Sequence, residues 1–158
     1  MTFKEVLSFR DALNEANFIE GKVFAYAVMK NKQLLDKEVE LINSNRIVPH
    51  PDYINYENER KTVCVKHSEK DDNGEILFDY NPDGTTSYKI KNMDKFNKDY
   101  KKIEEKYKDT IEDMKKAKED FDKFLNSECK IELVMVNIDD LPNEVTANFL
   151  EKINYMLN

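Results

Sequence analysis

The feature that most constrains the fold is a charged run from Met93 to Leu125, in which apolar residues recur every three or four positions. This spacing places the apolar side chains on one side of an α-helix. No Gly or Pro interrupts the run, so the sequence predicts one continuous helix over residues 93–125. The apolar residues of this stripe are Met93, Phe96, Tyr100, Ile103, Tyr107, Ile111, Met114, Ala117, Phe121 and Phe124.

A single apolar stripe on so long a helix has to be covered. At about 1.5 Å per residue the helix would span roughly 50 Å, which exceeds the width of most small domains. Burying one large apolar side chain contributes about 1.5–3 kcal/mol, so leaving several of them in water is unfavourable. We therefore expect the stripe to be covered by another part of the chain or by a second copy, and we predict a homo-oligomer.

Helical spacing of apolar residues also occurs in four other segments, namely residues 3–16, 22–42, 55–70 and 144–157. Thr2 is suited to cap the first of these helices, with Glu5 at the reciprocal position of a capping box. Two assignments stay open at this point. Residues 23–28 fit a buried strand equally well, and the β-branched residues within 62–65 pull the third segment toward strand.

Turn and strand signals are confined to two places. The tetrapeptide Asn81-Pro82-Asp83-Gly84 suits a type I turn and separates two β-prone runs, which predicts a β-hairpin over residues 75–90. The pattern changes at residues 129–136, where Ile131, Leu133 and Met135 would share one face of a strand, which predicts a strand. Pro49 and Pro51 are expected to keep the residues near them extended.

These elements predict an α+β fold that is mainly α. We expect a single domain over residues 1–158, in which the helices at 22–42 and 93–125 form an antiparallel pair. The hairpin at 75–90 lies between the two helices in the chain, and a C-terminal strand and helix occupy residues 129–157.

Composition and charge exclude several classes of protein. Charged residues make up 36% of the 158-residue chain and the formal net charge is -7, which argues against a general binder of duplex DNA or RNA. No apolar run is long enough to span a membrane. Cys64 and Cys129 form no close-spaced pair, so neither a redox motif nor a disulfide framework is indicated. The expected location is a reducing cytoplasm.

No motif indicates catalysis, a metal or a cofactor. Cys64 and His67 have the spacing of a zinc-ligand pair, but His50 and Cys129 lack a close-spaced partner. The acidic loop at residues 69–74 lacks the chelating Glu of a calcium loop, because Tyr80 stands at that position. No Ser or Cys lies in an activating motif, and no Gly-rich loop suits a phosphate. We therefore expect a protein without enzymatic activity, metal or cofactor.

One stretch has a composition typical of binding surfaces. It combines Arg side chains, a His, a Lys and two Tyr side chains within a predicted loop and the helix that follows it. Such residues can stack on and neutralise a small nucleotide, or anchor a protein interface. The alternative is a loop whose tyrosines are packed against the helices. The candidate binding residues are Arg46, His50, Tyr53, Tyr56, Arg60 and Lys61.

The order of these parts has a counterpart in a known group of proteins. The acidic segment Glu69–Glu75, a hairpin, a charged helix, the segment Phe124–Leu133 and the segment Ile138–Pro142 follow one another before a terminal helix. This order, over about residues 20–158, resembles small uncharacterised proteins encoded by phages of Gram-positive bacteria. The resemblance implies a protein made by a phage inside a host cell, and it implies no activity and no functional residue.

We therefore expect a non-enzymatic phage accessory protein that binds and inhibits or sequesters a host component, such as part of an antiviral defence system. The partner would be a host protein or a small signalling nucleotide. Two alternatives are a sponge that sequesters a nucleotide and a helper of virion assembly.

Overall fold

Helices dominate the computed structural model, which describes residues 1–16, 19–143 and 145–158. The predicted α+β class with mainly α content is confirmed. In chain order the described elements are α1 (Phe3–Glu15), α2 (Lys22–Ser44), α3 (Pro51–His67), β1 (Phe78–Tyr80), β2 (Thr86–Tyr88), α4 (Met93–Lys106), α5 (Lys108–Leu125) and α6 (Ala147–Ile153).

The chain divides into two compact units, and the expectation of one domain over residues 1–158 stays a prediction. Unit 1 comprises Met1–Ile47 and Glu119–Asn158, and unit 2 comprises Val48–Lys118. The negative charge is unevenly divided between them. Unit 1 has 10 basic and 16 acidic residues, a net charge of -6, whereas unit 2 has 15 basic and 16 acidic residues, a net charge of -1.

The core of unit 1 forms where α1 packs against α2 and α6. The capping box predicted for α1 is present, since the Thr2 backbone N–H donates to the Glu5 carboxylate at 2.6 Å and the Glu5 N–H donates to the Thr2 hydroxyl at 3.2 Å. The side chains at its centre are almost completely shielded from solvent, namely Val6, Phe9, Leu13, Phe24, Leu35, Ile42, Val136, Ile153 and Met156.

The predicted strand at residues 129–136 is corrected by the structure, which describes all of these residues. They form no strand. Glu128, directly before them, makes a single bridge with Thr2, and Val136 makes a single bridge with Leu157. The backbone of Val134 is hydrogen-bonded by the amide side chain of Asn31 instead of by a neighbouring strand. The amide donates to the Val134 carbonyl at 2.9 Å and accepts from the Val134 N–H at 2.7 Å. The pattern at residues 129–136 therefore does not correspond to a strand of a sheet.

The chain end is more irregular than the predicted helix at residues 144–157. Helix α6 begins at Ala147, and the Thr146 hydroxyl caps it by accepting a hydrogen bond from the Phe149 N–H at 3.3 Å. Residues Asn154–Met156 form a 3-10 turn. Glu144 lies outside the described residues, as does Asn17 near the end of the first predicted helix.

In unit 2, helix α3 packs against α4. The segment predicted as helix over residues 55–70 is helical, but the helix begins earlier, at Pro51, and ends earlier, at His67. Proline is favourable at the first helical position because its missing N–H has no intrahelical partner there. Residues 51–54 are thus helical rather than extended. The structure also corrects the predicted pairing of the helices at 22–42 and 93–125. Helix α2 packs on α1 instead, and α4 packs on α3.

The predicted continuous helix at residues 93–125 is interrupted at Tyr107, which separates α4 from α5. Its φ of -111° and ψ of 21° are not helical, although the Tyr107 N–H still donates to the Ile103 carbonyl. The Tyr107 hydroxyl donates to Glu59 on α3 at 2.8 Å, and its ring lies 5.9 Å from that of Tyr56. These contacts hold Tyr107 against α3 and stabilise the distorted turn.

The chain itself covers several positions of the apolar stripe. Ile103 and Met114 are buried within unit 2, and Phe121 and Phe124 pack against the core of unit 1. Self-association, which was predicted from an uncovered stripe, stays a prediction.

The predicted hairpin is present, with shorter strands than expected. Phe78 lies opposite Tyr88 and Tyr80 opposite Thr86, and Gly84 closes the turn with a φ of 81° that disfavours other residues.

Candidate functional site

Three of the predicted binding residues line one cavity of unit 2. Tyr53, Tyr56 and Arg60 follow one another at helical spacing and therefore lie on the same side of α3. The cavity has a volume of about 360 Å³. We call it the tyrosine cavity; its lining residues are Tyr53, Tyr56, Glu57 and Arg60 of α3, Tyr100 of α4, and Ile111, Met114, Lys115 and Lys118 of α5.

The aromatic wall of the tyrosine cavity is ordered by ring contacts. Tyr56 is 7% exposed, and its ring centroid lies 5.6 Å from that of Tyr53. Burial, together with the nearby Tyr100 hydroxyl, raises the pKa of Tyr56 above its usual value of 10. The Tyr56 hydroxyl therefore stays protonated at neutral pH, with the Tyr100 hydroxyl as its neighbour.

The position of the Arg60 guanidinium is set before any ligand binds. Its Nε and Nη2 atoms lie 3.1 and 2.7 Å from Oε2 of Glu57, one turn earlier on α3. The hydrogen bond with Glu57 raises the pKa of Arg60 further above its already high value, so this side chain is always charged. The pair leaves the Nη1 amino group of Arg60 outside the contact with Glu57.

Lysine side chains add positive charge to the tyrosine cavity. Nζ of Lys118 lies 5.7 Å from the ring centroid of Tyr53, within the range of a cation–π interaction. With Arg60 and Lys115, the lining residues carry three positive charges, against the single negative charge of Glu57. The lining therefore combines aromatic rings with basic side chains, within a unit of net charge -1.

The remaining predicted binding residues lie elsewhere. The ring Nδ1 of His50 accepts from the Asp52 N–H at 3.2 Å and so caps α3. Lys61 is exposed on α3 and is not among the residues that line the tyrosine cavity. Arg46 is exposed and belongs to unit 1.

Sequence reasoning missed the contributions of α4 and α5. Tyr100 was counted as one of ten stripe residues, and Lys115 and Lys118 as part of a solvated charged face. Their spacing alone does not distinguish them from neighbours such as Lys116. The sequence signal that could have found part of this lining was the apolar stripe itself, since Tyr100, Ile111 and Met114 all belong to it.

A second polar cluster lies where α3 ends. The Asp99 carboxylate of α4 accepts from Nζ of Lys66 at 2.7 Å and from Nζ of Lys102 at 3.3 Å, and Nε2 of His67 lies 3.1 Å away. These partners, Lys66 foremost, hold the pKa of Asp99 well below its usual value of 3.8. The cluster joins α3 to α4 and therefore supports the tyrosine cavity from outside.

Replacing Asp99 with Asn is expected to destabilise the protein in a pH-dependent way. A carboxylate with a lowered pKa contributes stability that is fully present above its pKa in the unfolded chain and is lost as pH falls through its folded pKa. The melting temperature of Asp99→Asn should therefore lie below that of the parent at neutral pH, and the gap should narrow below about pH 4. The exposed Asp113→Asn serves as control. A gap for Asp99→Asn that does not change with pH would contradict this role.

The zinc pattern considered from the sequence does not assemble. Cys64 is buried, and His67 faces Asp99. Within the part of the chain that the structure describes, no three His, Cys, Asp or Glu side chains converge as ligands for a metal ion. None of the described helices is both long and apolar enough to cross a bilayer.

Comparisons with known proteins gave no relative from which a function can be transferred. No protein-family model matches the chain, and no similar protein was found among curated proteins or solved structures. The geometry of the tyrosine cavity therefore provides the main physical argument about function.

Proposed function

We propose that this protein is a non-catalytic binding protein, made by a phage inside its bacterial host, that binds and inhibits or sequesters a host component. The tyrosine cavity is the proposed binding site, and the observation that supports it is the convergence of Tyr53, Tyr56, Tyr100 and Arg60 on one cavity. The phage setting rests on the resemblance found in the sequence.

The chemistry of the cavity supports binding. Tyrosine and arginine side chains account for much of the binding free energy at protein interfaces, since they combine apolar surface with hydrogen-bond donors. The Tyr53–Tyr56 ring contact and the Glu57–Arg60 pair already restrict these side chains. Less conformational entropy is therefore lost when a partner binds.

The proposed mechanism is stoichiometric. A host component that occupies the tyrosine cavity is removed from its free pool in proportion to the amount of this protein, and no covalent bond is made or broken. The two units contribute differently, because the net charge of unit 2 is -1 and that of unit 1 is -6. An anionic partner is therefore repelled less by unit 2.

The test is to immobilise the full chain and expose it to a lysate of a Gram-positive bacterium, with the eluate analysed for proteins and small molecules. We expect a component whose recovery falls at least tenfold with Tyr53→Ser and with Arg60→Gln. Lys61→Gln, on the same helix but outside the cavity, should retain it. Tyr56 is less suitable for substitution, because its burial makes a loss of stability the expected result.

Thermal melting accompanies the recovery measurement, so that a folding defect is distinguished from a binding defect. If the captured components are the same for the parent, Tyr53→Ser and Arg60→Gln, the tyrosine cavity is not the binding site and the proposal is wrong.

A further inference from the structure

We propose that the outward side of α2, in unit 1, docks an amphipathic helix of a partner protein whose apolar residues are bracketed by carboxylates. This side of the helix is called the α2 face below. It consists of Val23, Tyr26, Lys30, Leu34, Lys37 and Leu41. The proposal goes beyond the proposed function, because the α2 face belongs to unit 1 and shares no residue with the tyrosine cavity.

Helix α2 carries apolar residues on two of its sides. On one side, Phe24 and Leu35 are completely shielded in the core of unit 1. The α2 face is a second side, because its residues follow one another in steps of three and four positions. Val23 and Tyr26 near its start are 51% and 55% exposed, and Leu41 near its end is 43% exposed. An apolar stripe of this kind is the surface that a partner helix reads through residues one and two turns apart.

The length of the α2 face favours a helix over a small molecule. A rise of 1.5 Å per residue gives about 27 Å between Val23 and Leu41. A partner helix of about five turns can cover all of this stripe, whereas a small molecule would contact only a fraction of it. The remaining apolar side chains would then stay in water, which is unfavourable.

A groove at the middle of the α2 face suits one apolar side chain of the partner. It has a volume of about 380 Å³ and is lined by Lys30, Gln33, Leu34, Lys37 and Val134. The backbone of Val134 is already fixed by its two hydrogen bonds to the Asn31 amide. Little conformational entropy is therefore lost on that side when the groove is filled. Apolar anchors that fill such pockets account for much of the binding free energy at protein interfaces.

The groove lining also provides the charge that selects the partner. It includes two lysines and no carboxylate. Nζ of Lys30 lies 5.8 Å from the ring centroid of Tyr26, and this contact with an uncharged ring does not neutralise the lysine. Neither Lys30 nor Lys37 forms an ion pair with a residue that the structure describes. Glu40, one turn after Lys37, is exposed and does not line the groove.

The spacing of the two lysines specifies the spacing of the carboxylates on the partner. Lys30 and Lys37 are two helical turns apart, which is about 10 Å along α2. Carboxylates two turns apart on the partner helix have the same separation, and they bracket the apolar side chain that enters the groove. Unit 1 has a net charge of -6, but charges more than about 8 Å away are largely screened at physiological salt. The two lysines therefore dominate the interaction with a single helix.

The same lysines disfavour two other occupants of the α2 face. A second copy docking its own α2 face would bring the lysines of both copies into one interface without a carboxylate in the lining, and burying unpaired charges is costly. An anionic membrane would face a whole side of unit 1 and would therefore be repelled by its net charge of -6. A helix of another protein avoids both costs.

The experiment is a fluorescence-anisotropy titration of labelled helical peptides with the full chain. Each peptide has about three heptads with Leu at steps of three and four residues, and the residues beside the leucines are all Glu, all Gln or all Lys. We expect the Glu peptide to bind at least about fivefold tighter than the Gln peptide, and the Lys peptide to bind most weakly. Raising the salt concentration should reduce the difference between the Glu and Gln peptides.

Substitutions at exposed positions assign the binding to the α2 face. Lys37→Glu should weaken binding of the Glu peptide by at least about fivefold and strengthen binding of the Lys peptide. Leu41→Gln should weaken binding of all the peptides by about fivefold, because it removes an apolar contact that they share. Lys4→Glu makes the same change of charge at an exposed position of α1 and should leave the dissociation constants within about twofold of those of the parent. The melting temperatures of these variants should stay within about 2 °C of that of the parent.

Several outcomes would overturn the proposal. They are no binding of the Glu peptide at about 1 mM, equal binding of the Glu and Gln peptides, or binding that Lys37→Glu and Leu41→Gln leave unchanged. Co-sedimentation with phosphatidylserine vesicles that Lys37→Glu abolishes would assign the α2 face to a membrane instead. A dimer in analytical ultracentrifugation that Leu41→Gln abolishes would assign it to a second copy. None of these results involves the tyrosine cavity, so the proposed function would stand.

Discussion

Replacing Asn31 with Ala is expected to lower the free energy of unfolding by about 3 kcal/mol. Asn31 is completely buried in α2, and its amide makes two hydrogen bonds to the backbone of Val134. Alanine removes both bonds and leaves a partly buried N–H and C=O without these partners. Each unpaired buried group costs roughly 1–3 kcal/mol, which outweighs the small gain in helix propensity from alanine.

Urea denaturation of the parent and the variant measures this loss. Asn43→Ala is the matched control, because Asn43 lies on the same helix and is exposed. Its free energy of unfolding should stay within about 0.5 kcal/mol of that of the parent. A loss below about 1 kcal/mol for Asn31→Ala would mean that the segment at residues 129–136 does not depend on this amide for its position.

Replacing Phe24 with Ala is expected to lower the free energy of unfolding by about 4 kcal/mol. The Phe24 side chain is completely buried, and its ring packs edge-to-face against that of Phe149 with 6.4 Å between the centroids. Truncation removes the buried apolar surface and leaves a cavity between α2 and α6 that the surrounding side chains fill only in part.

Tyr26→Ala provides the comparison, since Tyr26 lies on the same helix as Phe24 and is 55% exposed. Its replacement should change the free energy of unfolding by less than about 1 kcal/mol. Hydrogen exchange adds the location of the effect, because amides of α2 should lose most of their protection in Phe24→Ala. Equal losses for the two variants would show that Phe24 is not central to the core of unit 1.

Elements with local signals could be predicted from the sequence. The capping box of Thr2 and Glu5, the turn at residues 81–84 and the periodicity of α2 depend on residues that are close in the chain. Pro51 is the first residue of α3, although the sequence alone favours an extended chain there. Proline fits both settings, and only the capping contact of His50 distinguishes them.

Features that depend on distant residues could not be predicted. The pattern at residues 129–136 does not reveal that the partner of Val134 is the side chain of Asn31 rather than a strand. The interruption at Tyr107 likewise depends on Glu59 and Tyr56 of another helix. In both cases the local pattern was correct as far as it went, and a specific contact with a distant residue determined the structure of the segment.

The candidate site was predictable in part for the same reason. Tyr53, Tyr56 and Arg60 are spaced three and four residues apart on a single helix, so their proximity follows from helical geometry. Tyr100 and Lys118 join them only because other helices pack on α3. No pattern within α4 or α5 marks these two residues as different from the rest of the stripe and its charged flanks.

The division of the chain into units has a consequence for how the protein is made. Unit 1 is assembled from the two ends of the polypeptide, whereas unit 2 is one uninterrupted stretch. Val134 is synthesised 103 positions after Asn31, so the contact between them forms only after the segment in between has been translated. All of Val48–Lys118 has been translated before that core can close, so we expect unit 2 to form its internal contacts first during synthesis.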